Sequence, residues 1–380
     1  MAKIVLTAEN FAFGPIGKLL VVASLLKKQK HTLIFVGFGT SLQLAKKFPF
    51  DDIHELDTDN SSSTNALKKI IMQSDIIISS MDIPSIIVAK RLGKLTIWID
   101  CLFWFWDNIP KPVLNADLFI RERSLKDRMN ELKFASKIKN MYCVGPIIGK
   151  IKNSKRKRQV LISYGGGEAT YSYKIGRDTN FPFVMTQILF NNVNWSQFNR
   201  IIVATNEKTI KDLRKRFQQT PFEFICLPYE KFLKELSQSE FILITPGLVT
   251  AEAAFYSGTP TIFLPASNNS QYLQLEEFRE RGLAPASIHM SDFMPRLDLH
   301  KIPITESTQK VLSQLHELEH SPELQTSIGN KINGLVCKRA KWSTEFITNG
   351  RKFIDSVGGN GTQATVDKIT QFLVTKGFNK

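Results

Sequence analysis

The sequence predicts an α/β chain of two doubly wound domains in series, and three features lead to that prediction. Short apolar runs alternate with helical stretches through the first half. The alternation stops at a Gly-Pro step followed by a charge run, and then it restarts. Apolar runs of this length, separated by helices, belong to parallel strands buried on both faces. Such alternation builds a doubly wound sheet.

In the first half, residues 3–7, 31–37, 75–79, 95–100 and 117–121 read as strands. Residues 16–28, 66–73 and 84–92 read as helices, the last stopped by Gly93. Met141-Tyr142-Cys143-Val144-Gly145-Pro146 closes this half. In the second half, strands are expected at 159–163, 200–204, 223–227, 241–245 and 260–264. Helices are expected at 207–217, 229–237 and 249–256, and the remainder reads mainly helical. The expected division is a Rossmann-like domain over 1–145, a basic linker over 146–158 and a second Rossmann-like domain over 159–350. A C-terminal helix within 351–380 is expected to pack back on the first domain. Two such domains put a cleft between them, with ligands at the carboxyl ends of the strands.

Composition narrows the class. A chain of 380 residues, 43% hydrophobic, has ample material for buried cores. Its four cysteines are scattered, with no Cys-x-x-Cys pair. Reduced thiols in a cytoplasmic protein are the expectation. No apolar stretch reaches membrane-spanning length, and the N-terminus lacks the pattern of a secretory signal. The net charge of +15 attracts anions: nucleotides, nucleic acid or an acidic membrane surface. Lys150 to Arg158 is the sharpest basic cluster, read as a solvated linker or an anion attractor. No nucleic-acid-binding motif accompanies the charge, and no metal site is expected from the six histidines.

The most informative segment is Ile244-Thr245-Pro246-Gly247-Leu248-Val249-Thr250-Ala251-Glu252-Ala253-Ala254, followed by Ser257-Gly258-Thr259-Pro260 and a strand. It parses as strand, glycine turn, helix, glycine stop, strand. Amides at a helix start, with the helix dipole behind them, favour an anion. Gly247 admits a phosphate close to the backbone, and Thr250 adds a hydroxyl. Glu252 lies one turn in, where a carboxylate can hold ribose hydroxyls. Equally, Thr250 can cap the helix and Glu252 offset its dipole.

Two further glycine-rich turns lie at strand ends. Ser163-Tyr164-Gly165-Gly166-Gly167-Glu168 exposes backbone amides suited to a diphosphate. Glu9-Asn10-Phe11-Ala12-Phe13-Gly14-Pro15-Ile16-Gly17-Lys18 follows the first strand. The aromatic segment Trp98 to Asp107 reads either as core packing or as a stacking wall at Phe103, Trp104 and Trp106.

The Gly247–Pro260 segment resembles the donor-nucleotide motif of GT-B glycosyltransferases, such as UDP-glycosyltransferases and the peptidoglycan N-acetylglucosaminyltransferase. In that family the strand after it leads into a polar loop ending in Gln, here Ala266-Ser267-Asn268-Asn269-Ser270-Gln271-Tyr272. The resemblance implies that Gln271, with Asn268 or Asn269, reaches donor sugar hydroxyls and that Glu252 holds the ribose. It also implies that Ser163, Gly165, Gly166 and Gly167 lie near the donor phosphates with Gly247, Leu248 and Thr250, and that Leu227 to Tyr229 flank the base. It is good from about residue 165 to 282 and architectural in the first half, and it implies an acceptor-binding domain over 1–145 and a nucleotide-sugar donor-binding domain over 159–350. Many members carry a base His after the first glycine loop, but Lys18 stands there instead. Glu9 and Asp100 are the candidate replacements, with Asp107 a third. The aromatic segment is similar to that of cytosylglucuronate synthase-type enzymes, which implies a nucleobase acceptor.

The expected reaction is sugar transfer from a nucleotide sugar, with UDP as carrier by resemblance, to a small-molecule acceptor. Inversion and independence of metal are likewise implied by the family. Asp57-Thr58-Asp59 has the letters of a metal-binding pair but lies in a polar loop of the first half. The alternatives are a nucleotide-sugar epimerase on the same fold and an inactive sugar-nucleotide-binding module. A nucleic-acid-binding protein is suggested by charge alone.

Overall fold

The computed structural model describes residues 1–124, 127–152, 154–167, 180–300 and 302–378. The chain divides into two compact units: Met1–Gly149 with Ile354–Lys380, and Lys150–Phe353.

The first unit runs β1 (Lys3–Ala8), α1 (Gly14–Lys28), β2 (Thr32–Gly37), α2 (Gly39–Ala45), β3 (Asp52–Glu55), α3 (Thr64–Met72), β4 (Ile76–Ser80), α4 (Ile83–Arg91), β5 (Leu95–Asp100), α5 (Lys111–Leu114), β6 (Leu118–Glu122), α6 (Asp127–Phe134) and β7 (Met141–Val144). Its seven strands are parallel, in the order β3-β2-β1-β4-β5-β6-β7. Every residue of β4 and β6 is buried, so both faces of the sheet are covered. The order reverses between β1 and β4, and their carboxyl ends form the topological switch point.

In the second unit come β8 (Lys157–Ser163), α7 (Phe181–Asn192), β9 (Arg200–Ala204), α8 (Glu207–Arg216), β10 (Phe222–Ile225), α9 (Tyr229–Gln238), β11 (Ser239–Ile244), α10 (Leu248–Ser257), β12 (Thr261–Phe263), α11 (Asn269–Glu280), α12 (Ile304–His320) and α13 (Pro322–Cys337). The five parallel strands are ordered β10-β9-β8-β11-β12, with the switch point between β8 and β11. Helix α14 (Arg339–Ser356) begins in the second unit and ends in the first, and α15 (Thr362–Thr375) packs on α1 and β7.

A close backbone crossing fixes the end of the chain on the first unit. The Gly361 amide donates to the Pro146 carbonyl (2.8 Å), and Asn360 exchanges hydrogen bonds with the Ile148 backbone. A Cβ on Gly145 would lie 2.1 Å from the Gly359 carbonyl oxygen, so only glycine fits.

Several elements differ from the sequence reading. Asp52–Glu55 pairs with β2 as an edge strand that is polar enough to carry no apolar run. Met141–Val144, which closes the first half, is the seventh strand of its sheet. Lys157 and Arg158 of the expected linker belong to β8, and Arg156 donates to the carbonyl of Gly258 at the end of α10. Gly39–Ala45 and Phe181–Asn192 are additional helices. The polar loop expected over 266–272 becomes the start of α11, because Asn268 caps it by accepting from the Gln271 amide (2.9 Å).

Candidate functional site

The second unit gathers three chain ends at the carboxyl edge of its central strands. After β8 the chain turns through Gly165 (φ 65°) and Gly167 (φ 68°), a left-handed path that other residues adopt at a cost. The turn is braced from the next strand. Thr205 Oγ1 donates to the Gly165 carbonyl (3.0 Å) and Asn206 Nδ2 to the Gly166 carbonyl (2.7 Å). Asn206 also caps α8 by accepting from the Thr209 amide (2.8 Å). Ser163 is buried, and its hydroxyl accepts from the Gly165 amide (3.3 Å), so that amide is already engaged. Glu168, at the end of this motif, lies outside the described residues.

Beside it, β11 is followed by Thr245, whose amide donates to the Ser163 carbonyl (3.2 Å). Gly247 is the cap position of α10 and has no side chain with which to cap it. Among the described residues no side chain caps this helix start, and the positive end of the helix dipole lies behind its first-turn amides. Leu248 and Thr250 are half-buried in this first turn. Thr250 does not cap the helix, since Gly247 holds that place. Glu252 lies past the first turn and is buried, at 1% exposure. It meets surrounding protein rather than offsetting the dipole from solvent.

The third end follows β12, adjacent to β11. Gln271 Oε1 accepts from the backbone and hydroxyl of Ser267 (both 2.9 Å). Its Nε2 faces Gly247, 3.9 Å from where a Cβ would stand. Asn268 spends its side-chain oxygen on the cap, and Asn269 is turned into the protein, donating to Ser307 Oγ (2.8 Å). Leu227 is buried, and Tyr229 is half-buried as the first residue of α9, after β10. The glycine turn, Gly247 and Gln271 thus follow three neighbouring strands, β8, β11 and β12.

In the first unit the candidate bases fare differently. Asp100 is fully buried. Its Oδ2 accepts from the indoles of Trp98 (3.0 Å) and Trp106 (2.8 Å), and its Oδ1 from the Leu102 amide (2.9 Å). This carboxylate pins the aromatic segment and has no surface to offer an acceptor. Phe103 is likewise core, edge-on to Phe119 and Phe134 under the Arg121 guanidinium. Trp104 and Trp106 remain half-buried, Trp104 paired edge-to-face with Phe105. Asp107 is exposed. Glu9 is half-buried at the end of β1, and its amide donates to the Ser80 carbonyl (3.0 Å). Lys18 is fully buried against Glu122 (2.8 Å).

Asp82 was not legible as a site residue. It sits after β4, next to Met81, which is buried at φ 65°. Its carboxylate accepts from Ser85 (2.5 Å) and Thr58 (3.2 Å). Burial raises its pKa to about 6, with the hydroxyl partners opposing the shift. The signal available was an Asp just before a proline-led helix, which reads as an ordinary cap. Thr58 of the Asp57-Thr58-Asp59 loop is thereby tied to the first unit's sheet. His289 is also structural: its Nδ1 accepts from the Ser291 amide (3.2 Å), and burial lowers its pKa to about 4.

No protein-family model and no curated relative matches the sequence. Among solved structures, the spinosyn rhamnosyltransferase SpnG is 11% identical, covering 96% of this chain and 100% of its own, with a TM-score of 0.53. UGT89C1 of Arabidopsis thaliana, solved in complex with UDP, is 12% identical over 97% of this chain and 98% of its own, with a TM-score of 0.51. The chain has the GT-B fold. At these identities the likeness is one of fold. No helix among the described residues is long and apolar enough to cross a membrane.

Proposed function

We propose that this protein is a glycosyltransferase whose second unit holds a nucleotide-sugar donor, with UDP as the carrier. The observation that carries the reading is the convergence at the β8–β11 switch point. There a braced glycine turn and a helix start without a side-chain cap among the described residues, two sources of backbone amides, lie beside the amide nitrogen of Gln271. A diphosphate matches that set in charge and in hydrogen-bonding capacity. The fold neighbours support the choice of chemistry, one being a rhamnosyltransferase and the other a UDP complex.

As the sugar–phosphate bond breaks, negative charge grows on the leaving diphosphate. The α10 amides, the turn and Thr250 stabilise it without having to reorganise. The sugar carbon acquires oxocarbenium character. Inversion without a metal ion fits this arrangement, because fixed dipoles take the role of the cation. Glu252 anchors the ribose, and Leu227 and Tyr229 flank the base. Of the candidate bases, Glu9 is retained and Asp100 is released to its structural role. General-base assistance of this kind contributes roughly a hundred- to ten-thousand-fold. The acceptor is a small molecule, with a nucleobase as the specific candidate, placed against the half-buried Trp104.

One observation favours a second reading, an inactive sugar-nucleotide-binding module. The position where relatives carry a base His is a lysine sealed in an ion pair with Glu122. Calorimetric titration with UDP and the other nucleoside diphosphates, on the protein and on Glu252→Gln, tests the donor site. Selective binding that weakens at least tenfold in the variant is expected, and no binding to any nucleotide refutes the proposal. Release of UDP from UDP-sugars, lost in Glu9→Gln, separates the enzyme from the module.

A further inference from the structure

We propose that the last turn of α12 carries a transition-metal site formed by His316, Glu319 and His320, with zinc(II) as the ion it takes. This corrects the expectation that the histidines hold no metal: in His316-Glu317-Leu318-Glu319-His320 the three residues stand at i, i+3 and i+4 on one helical face. Their ligand atoms lie within 4.8 Å of one another. A tetrahedral site with metal–ligand bonds of about 2.0–2.1 Å needs separations of roughly 3.3 Å. Both histidines are exposed, so side-chain rotation closes that gap without moving the backbone. The imidazole rings are already adjacent, with centroids 4.2 Å apart and planes inclined by 49°.

Three details prepare the group for a cation. His320 Nδ1 lies 2.8 Å from the His316 carbonyl oxygen. A carbonyl can only accept, so Nδ1 carries the proton and Nε2 presents its lone pair outward. Asn180 Nδ2 donates to Glu319 Oε1 (2.5 Å), orienting the carboxylate as outer partners orient metal ligands elsewhere. The cluster also occupies the C-terminal turn of a 17-residue helix, where the unpaired carbonyls and the dipole favour positive charge. Two imidazoles and a carboxylate suit zinc, copper or nickel over calcium or magnesium. Among the described residues this is the one group of three His, Cys, Asp or Glu side chains close enough to share an ion.

The bound ion staples the end of α12 and, through Glu319, holds Asn180 at the start of α7. It takes no part in sugar transfer, and the site shares no residue with the proposed donor site. The test is calorimetric titration of the full chain with zinc chloride. One ion bound at micromolar affinity is expected. His316→Ala and His320→Ala should each weaken it at least tenfold, and Glu319→Gln and Asn180→Ala several-fold. His300→Ala and Cys337→Ser should leave it unchanged. Zinc should raise the thermal midpoint of the parent protein and not that of the His316→Ala/His320→Ala double variant. Circular dichroism without metal confirms that the variants, altered at exposed positions, are folded. Absence of binding to the parent, or binding that survives in the double variant, overturns the proposal.

Discussion

The two switch points occupy the same place in two similar sheets and are furnished in opposite ways. At β8–β11 the strands run into glycine, the helix start is uncapped, and the polar side chains nearby brace the backbone. The first unit's switch point, at β1–β4, runs into buried carboxyl chemistry around Asp82, and the same unit seals Lys18 against Glu122. One edge presents a helix start that its glycine cap residue does not cap, while the other holds buried charges paired within the protein. A shared topology therefore fixes where a ligand can bind, and the residues after each strand decide whether the position is open.

Breaking the sealed pair should have the largest effect. Lys18→Met leaves Glu122 buried without its partner charge and is expected to destabilise the protein by about 3–5 kcal/mol in denaturant unfolding. Adding Glu122→Leu should recover much of that loss, since paired removal leaves no orphaned charge. If Lys18→Met is neutral, the first switch region is more open than its burial indicates.

Asp82 gives a pH-dependent contrast. With its pKa raised from 3.8 to about 6, it takes up a proton on folding across that interval. Its contribution to stability is full below pH 3.8 and falls as pH rises through 6, at about 1.4 kcal/mol per unit and roughly 3 kcal/mol in all. Asp82→Asn does not titrate. The stability difference should therefore move in the variant's favour by that amount between acid and neutral pH, as read from chemical unfolding at a series of pH values.

In the second unit, smaller changes should separate binding from stability. Gly167→Ala forces a side chain into the left-handed region, 3.0 Å from Asn206 Nδ2, and should cost about 1–2 kcal/mol. It should also weaken nucleotide binding, because the turn itself shifts. Thr250→Ala should leave stability within about 0.5 kcal/mol and weaken UDP binding roughly two- to tenfold in calorimetry. A stability loss without a binding loss would make the Thr250 hydroxyl structural and erase the contrast between the two edges.

Much of the second unit's candidate site was legible in the sequence, because its features lie in the backbone. Gly165, Gly167 and Gly247 announce turns wherever they stand, and an apolar strand before a glycine and an alanine-rich helix reads in only one way. The first unit was less legible because its polar groups are set by long-range pairing. Asp100 looked like a free carboxylate at a strand end, yet Trp98 and Trp106 consume it. Phe103 looked like a stacking surface, yet Phe119 and Phe134 enclose it. Lys18 meets Glu122 from more than a hundred residues away, and no local pattern encodes that.

The sequence by itself determined the alternation, the buried strands, the helix stops and the glycine turns, all set by neighbours a few residues apart through steric limits and hydrophobic period. It left Asp52–Glu55 unseen because an edge strand needs no apolar run, and Phe181–Asn192 because a helix apolar on most sides shows no period. Only the tertiary structure decided which polar groups remain open to a ligand. That choice depends on burial and on partners distant in the chain: Asn206 bracing the glycine turn, Ser307 holding Asn269, Asn180 holding Glu319. A buried polar group is satisfied by whatever the fold brings beside it, and the fold is a property of the whole chain.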